Sequence, residues 1–328
     1  MHPFARRCAA TLVTAVAALT LGAGSASAYE RCPAPWMEVN TGGSDLPGVL
    51  QLCRAEPNPP FDLVPTYVFK VPAANLTQGF EYSNTGEQES RPLLKFDSVR
   101  DFFAKRIGEG DRWSLMVSGT FWDDRDAAPG SGWTSFPFFT DDSADIENRL
   151  ISVGKHPRYE GFPYDRRCIS WQRAAGVNVR DGAWTMWDDN YWTMKSWLET
   201  PSATCNVVGP DATTVRGEFV VGFDPRLEID RDARTGPRNA LTLVGVETSG
   251  PANFNTDTLC FLVGGYNTRN DASDILLEQF GCKPILQLDG GNSTQLAYRD
   301  PGTDAVVPLV TGGTLLSHRD IPHYLMVR

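Results

Sequence analysis

The chain has 328 residues, of which 41% are hydrophobic, 21% charged and 11% aromatic. That is enough apolar material for a substantial core, which excludes a disordered or low-complexity protein, and the length suits two domains or one large one. The formal net charge is -10, and a field of that sign repels nucleic-acid backbones and anionic lipid faces.

Residues 1–28 read as a signal peptide. Arg6 and Arg7 form its positive region, Leu12 to Leu21 its short apolar core, and Ala26-Ser27-Ala28 its cleavage site. Without this leader 28 basic residues face 40 acidic ones, a charge of -12. No later run approaches the roughly 18 apolar residues of a membrane-spanning helix, so the expected product is secreted and not stably inserted in a membrane. Cys8 leaves with the leader. Cys32, Cys53, Cys168, Cys205, Cys260 and Cys282 remain, an even set that suits disulfides in an oxidising compartment. Proximity in the chain favours 32–53, 168–205 and 260–282. With no Cys-x-x-Cys, a zinc or thioredoxin-like site has little support.

Residues 29–64 are rich in Cys and Pro and read as a stapled N-terminal arm or cap. Thr66 to Val71 alternates as a strand does. Ser98 to Arg106 carries Val99, Phe102 and Phe103 at helical spacing, with Asp97 or Ser98 as cap. Trp113 to Val117 reads as a buried strand that runs into Ser118-Gly-Thr-Phe-Trp122. Residues 123–150 are acidic and rich in Gly and Pro, as an exposed loop would be. The stretch 168–216 holds Trp171, Trp184, Trp187, Tyr191, Trp192 and Trp197. These rings suit either packing against a sheet or a sugar-stacking platform. Strands are expected at Phe219–Phe223, Leu241–Val246, Leu259–Val263, Pro284–Leu288 and Tyr324–Val327. A helix at Ala272–Phe280, capped by Asn270 or Asp271 and closed by Gly281, stands between the third and fourth of these. Many strands, few helices and one strand–helix–strand unit predict an α+β fold. Its sheet is expected to be mixed and disulfide-stapled, with parallel neighbours at that unit.

Two segments carry candidate chemistry. Leu286-Gln-Leu-Asp-Gly-Gly-Asn-Ser-Thr294 puts a carboxylate at a strand end, then glycines that admit a close ligand, then small polar side chains. It reads either as an Asp-Gly turn between strands or as a binding turn whose Asp289 holds a sugar hydroxyl or moves a proton. Ser317-His-Arg-Asp-Ile-Pro-His-Tyr324 offers Arg319 for a phosphate and His323 as an acid or base near neutral pH. The bland reading is a surface His, with Arg319 salt-bridged to Asp320. Asp123, Asp124 and Asp126 fit a solvated loop better than a metal site. The Asp230–Gly236 run has Leu241 where a calcium loop needs Glu. Only His156, His318 and His323 follow the leader, too few for a polyhistidine metal site. No cofactor is required by any motif; calcium is left open by the acidic loop.

In this order along the chain, four stretches resemble the phosphodiester glycosidase family. Ser118-Gly-Thr-Phe-Trp122 is similar to its Asn-Gly-(Gly/Thr)-Phe-Phe. Pro237-Arg238 with Leu241–Val246 is loosely similar to its Pro-Arg-Thr-Ala-Ile-Gly strand. Leu288-Asp-Gly-Gly-Asn-Ser293 is similar to its Leu-Asp-Gly-Gly-Gly-Ser, and Arg319–Val327 to its closing Arg-Pro-Val-x-Asn-Ala-Leu-Leu-Val. This chain departs from the family at Ser118 and Asn292, at His323 or Tyr324 in place of a late Asn, and at Gly264-Gly265-Tyr266 in place of Asp-Gly-Arg. Arg238 also stands about three residues further from the next glycine than in the family.

The resemblance spans residues 65–328 and implies a hydrolase that cleaves a sugar-phosphate diester, or a related linkage in extracellular or cell-wall glycans. Its site would hold Asp289 as the key carboxylate. Glu247 would be the second carboxylate, since such enzymes commonly use two. Arg319, with Arg238 as second choice, would neutralise the phosphate, and His323 would stand beside them. Gly119, Thr120, Gly290, Gly291, Asn292 and Ser293 would line the substrate. The alternative is a carbohydrate- or wall-binding protein without catalysis on the same scaffold, and a weaker one is a disulfide-stapled protein-interaction module.

Overall fold

The computed structural model describes residues 31–42, 45–55, 64–88, 91–123, 129–134, 138–139, 150–151, 166–172, 176–187, 191–196, 218–223, 225, 239–247, 258–312 and 319–328. In chain order the strands begin with β1 (Met37–Glu38), β2 (Gln51–Arg54), β3 (Thr66–Pro72), β4 (Leu76–Gly79), β5 (Tyr82–Gln88) and β6 (Arg91–Lys95). Helix α1 (Val99–Gly108) precedes β7 (Leu115–Ser118), β8 (Trp122–Asp123), β9 (Ser131–Thr134), β10 (Phe138–Phe139) and β11 (Leu150–Ile151). Then come β12 (Arg166–Gln172), β13 (Gly176–Trp187), β14 (Tyr191–Ser196), β15 (Glu218–Phe223), β16 (Asn239–Glu247) and β17 (Thr258–Asn267). Helix α2 (Arg269–Asp274), which runs on into a π-helical turn at Ile275–Gln279, leads to β18 (Cys282–Gly290), β19 (Gln295–Arg299), β20 (Val306–Thr311) and β21 (Tyr324–Val327).

The fold is mainly β. The largest sheet runs β1-β2-β3-β17-β16-β18-β15-β12-β13-β14, with β10 and β11 attached beside β15. A second sheet runs β20-β19-β7-β21-β4, and a small one runs β5-β6-β9-β8. Side-chain alternation assigns the faces. In the largest sheet Phe69, Phe261 and Val244 point one way, and Val68, Leu262 and Leu243 the other. The first set meets Val117, Leu296 and Leu325 of the second sheet in a shared core, where Phe69 and Phe261 stack with centroids 4.6 Å apart. The opposite face of the largest sheet is covered by α2 through Ala272 and by its π-helical extension through Leu276. The opposite face of the second sheet, through Met116, Ala297 and Met326, is covered by α1 through Phe102 and Phe103. The layers therefore run helix, sheet, sheet, helix.

Local signals explain both helices. Ser98 caps α1 by accepting the Asp101 N–H, as its position predicts. α2 is capped by Thr268, which accepts the Asp271 N–H, and not by Asn270 or Asp271. A threonine in extended conformation one residue before the helix makes the better cap, because Asn270 and Asp271 already sit inside the turn. Gly281 closes this segment at φ 68°, the left-handed geometry expected of it.

The sheets differ from expectation in one respect. Every described ladder is antiparallel, including those of β17 and β18. The strand–helix–strand unit does return β18 parallel to β17, but β16 fills the slot between them. Within residues 29–64, β2 pairs with β3 at the edge of the largest sheet. One further expectation changes. The 123–150 stretch is not wholly loop, since it contributes β9, β10 and β11.

Disulfides join Cys32 to Cys53 and Cys260 to Cys282, two of the three expected pairs. The second arches across β16 at Gly245, where an added side chain would press on Cys282. Cys205 lies outside the described residues, as do the leader, His156, His318, Asp124, Asp126, Trp197 and Asp230–Gly236. β12, β13 and β14 form an antiparallel set, but the ring positions of Trp171, Trp184, Trp187, Tyr191 and Trp192 are outside what is described. Among the described residues, no helix is long and apolar enough to cross a membrane.

Candidate active site

The chain leaves the largest sheet at the end of β18 and enters the second sheet at β19. The crossing is Asp289-Gly-Gly-Asn-Ser-Thr294, a 3-10 turn rather than a hairpin, because β18 and β19 belong to different sheets. Gly291 sits at φ 64°, a conformation that favours glycine. Two other chain ends converge here. β7 ends at Ser118 opposite Tyr324, which starts β21. Gly290 pairs with Leu241 near the start of β16, and Ser118 Oγ lies 3.1 Å from Thr242 Oγ1. The Asp289 N–H donates to the Gly119 carbonyl at 3.2 Å, which ties the two sheets together at this end.

Asp289 accepts the Gly290 N–H at 2.8 Å. The Ser293 hydroxyl and the Trp122 indole N–H also support its carboxylate. The same indole nitrogen lies 3.2 Å from Ser293 Oγ. Burial outweighs these donors and the nearby Arg319 charge, and pushes the carboxyl up to about 6. Such a group is largely ionised at neutral pH and largely protonated at pH 5, so it can serve as a base above this range and as an acid below it.

The Arg319 guanidinium lies over the Trp122 ring, 4.1 Å from its centroid. The edge of Phe96 supports the same indole, with centroids 4.6 Å apart. Backbone bonds fix Arg319 on both sides. Its N–H donates to the Asn292 carbonyl at 3.3 Å, and its carbonyl accepts Gln295 Nε2 at 2.7 Å. The residue as a whole is exposed.

His323 does not stand where an acid or base near neutral pH would stand. It is fully buried. The Thr120 N–H donates to its Nδ1 at 3.0 Å, which leaves the proton on Nε2 to be donated to Gln78 Oε1 at 2.9 Å. Burial pushes its pKa down to about 3, so the ring is neutral at any physiological pH. Gly119 packs flat on this ring, and a Cβ there would fall inside it. His323 thus buttresses the site. The N–H groups of Gly119 and Thr120 are spent on His323 and do not face a ligand.

Glu247 is also elsewhere. Leu241 pairs with Gly290 and Glu247 with Cys282, so Glu247 is at the far end of β16. That is about 20 Å from Asp289 along the strands. There it meets buried Lys70 at 2.6 Å. Antiparallel pairing explains the miss: the two strand ends that look equivalent in sequence point opposite ways. Arg238 lies outside the described residues. Asn292 is exposed and Gly291 half-exposed, both open at the turn, whereas Ser293 is buried with its hydroxyl on Asp289. Among the described residues no group of three or more His, Cys, Asp or Glu side chains is placed to hold a metal ion.

Trp122, Gln78 and Gln295 are the site's unexpected members. Trp122 closes the Ser118–Trp122 stretch, and its place just after a strand and a glycine is the signal it carries. Gln78 and Gln295 carry none, being polar residues within ordinary strands.

Comparison with known proteins gives fold-level likeness only. No family model matches the chain, and no curated protein matches it in sequence. Among solved structures it is similar to the catalytic domain of zebrafish N-acetylglucosamine-1-phosphodiester alpha-N-acetylglucosaminidase, auto-inhibited by its pro-peptide. The identity is 11%, with 89% of this chain and 87% of that one covered at a TM-score of 0.47. It is also similar to a Synechocystis protein of unassigned function, at 10% identity, 86% and 62% coverage and a TM-score of 0.38. Likeness at this level says nothing of substrate.

Proposed function

We propose that this chain is an exported hydrolase that cleaves the bond between the anomeric carbon of a sugar and a phosphodiester oxygen. The supporting observation is a single one. A carboxyl held near pKa 6 and the guanidinium of an exposed arginine share one indole where two sheets meet. Asp289 acts on the sugar side, as base, nucleophile or anchor of a sugar hydroxyl. Arg319 neutralises the phosphate, which remains anionic and leaves readily once paired. Asn292 and Gly291 line the approach. The four sequence stretches that resemble the phosphodiester glycosidases supply the substrate class, and the two disulfides fit export.

A panel of sugar-1-phosphodiesters, including N-acetylglucosamine-1-phospho-methylmannoside, tests this by release of free sugar with and without EDTA. Wild-type release that vanishes in a folded Asp289→Asn protein is expected. A folded, fully active Asp289→Asn protein would remove Asp289 from the mechanism. A second reading, a glycan-binding protein without catalysis, is favoured by one observation: Glu247, the expected second carboxylate, is committed to Lys70. Glycan binding that survives Asp289→Asn, with no release from any substrate, would establish that reading instead.

A further inference from the structure

We infer that Trp122 is a positioning residue that couples Asp289 to Arg319, its indole edge supporting the acid while its ring face seats the cation. The inference rests on the proposed site but not on turnover. Three observations carry it. The indole N–H reaches Ser293 Oγ at 3.2 Å, and Ser293 in turn bonds Asp289. The Arg319 guanidinium sits 4.1 Å from the ring centroid. Trp122 itself is 9% exposed, with the Phe96 ring packed at a steep angle against it and its backbone paired with Thr134 in the β8–β9 ladder. An exposed arginine on a flexible stem would otherwise sample many rotamers. The ring plane removes that freedom, and the N–H fixes the carboxyl at the same time. One rigid side chain therefore sets the separation of the two groups that would meet a phosphorylated sugar.

The geometry has a consequence that does not depend on substrate. Ionisation of Asp289 changes the charge at the acceptor end of the indole N–H, so the Trp122 indole resonance must titrate with Asp289. Among the described residues, the Arg319 guanidinium acts on this carboxyl, His323 behind the Gly119 backbone stays neutral above about 3, and Asp123 and Asp320 adjoin Trp122 and Arg319 in the chain. The test is a proton–nitrogen correlation spectrum of protein labelled at tryptophan, recorded from pH 4 to 8. The Trp122 peak is the one missing from Trp122→Phe. A midpoint near 6 in the wild type, abolished in Asp289→Asn and raised in Arg319→Gln, is the expected result. A peak that does not move over this range, or that moves equally in Asp289→Asn, overturns the inference. An unchanged midpoint in Arg319→Gln overturns the coupling.

Kinetics supply the second arm. Trp122→Phe keeps a ring under Arg319 and removes the donor, so kcat falls about tenfold while KM stays within about threefold. Trp122→Leu removes both, so KM rises as well. Equal effects of Phe and Leu on both constants would also overturn the coupling. A wild type that releases no sugar from any diester would refute the hydrolase reading, and the titration would still decide the role of Trp122.

Discussion

Asp289→Asn is expected to stabilise the protein at neutral pH, and the gain depends on pH in a defined way. An unfolded chain releases this proton near 3.8, whereas the folded chain holds it to about 6. Between those values the folded state binds more protons, so stability falls as pH rises, and above 6 the ionised carboxyl is a constant penalty. The shift corresponds to at most about 3 kcal/mol at 1.36 kcal/mol per pH unit. Because the residue is only half-buried, about 1–2 kcal/mol is the figure to expect. Asparagine keeps an oxygen to accept the Gly290 N–H, but its amide nitrogen replaces an acceptor that the Ser293 hydroxyl and Trp122 indole support, which offsets part of the gain.

His323 works in the opposite direction. It is held near 3 against an ordinary 6.5, so the unfolded chain takes up a proton that the folded chain refuses, and stability is lost as pH falls below 6.5. From pH 4 to 6 the two slopes oppose each other. The wild-type melting temperature therefore changes little there on account of this pair, while Asp289→Asn, left with His323 alone, gains stability steadily. Calorimetric melting of both proteins from pH 4 to 8 reads this out. The difference is expected to open from near zero at pH 4 to a few degrees at pH 7, on the order of 2 °C per kcal/mol. A difference independent of pH, or a wild type more stable than the variant at pH 7, would refute the burial argument.

Four further outcomes follow from the geometry. His323→Ala removes the buried ring that bonds the Thr120 N–H and Gln78, and opens a cavity. Its cost is expected to be about 3 kcal/mol or more in urea unfolding. Gly119→Ala forces a methyl into the His323 ring and is expected to lose folded yield on expression. Glu247→Gln removes the carboxylate charge that meets buried Lys70 at 2.6 Å and costs about 1–3 kcal/mol, with any sugar release unchanged. A release rate that falls with Glu247→Gln would return Glu247 to the site. Reduction of Cys260–Cys282, which closes a span of 22 residues, is expected to cost about 3 kcal/mol in the same unfolding assay.

Local chemistry was legible in the sequence. The strand patterns at Thr66, Leu241, Leu259 and Tyr324 become β3, β16, β17 and β21. Ser98 caps α1, and Gly281 closes the second helical segment. The strand-end Asp289 feels the charge of Arg319, thirty positions along the chain. What pairing decides was not legible. The insertion of β16 between β17 and β18 makes the sheet antiparallel and carries Glu247 to the wrong end, and no local pattern encodes that choice. His323 reads as a surface acid-base residue because sequence does not show burial. In the fold its nitrogens are consumed by Thr120 and Gln78, partners far away in the chain. Trp122 was hidden for a related reason: an aromatic after a strand is ordinary core, and only its contact with Ser293 on one edge and Arg319 on one face distinguishes it.

Hydrolysis of a sugar-1-phosphodiester in ¹⁸O-labelled water tests the central claim most directly, because it reports which bond breaks. If Asp289 acts at the anomeric carbon while Arg319 only neutralises the phosphate, the label enters the sugar's anomeric hydroxyl and the released phosphate monoester carries none. Label in the phosphate would place the attack at phosphorus and contradict the glycosidase account.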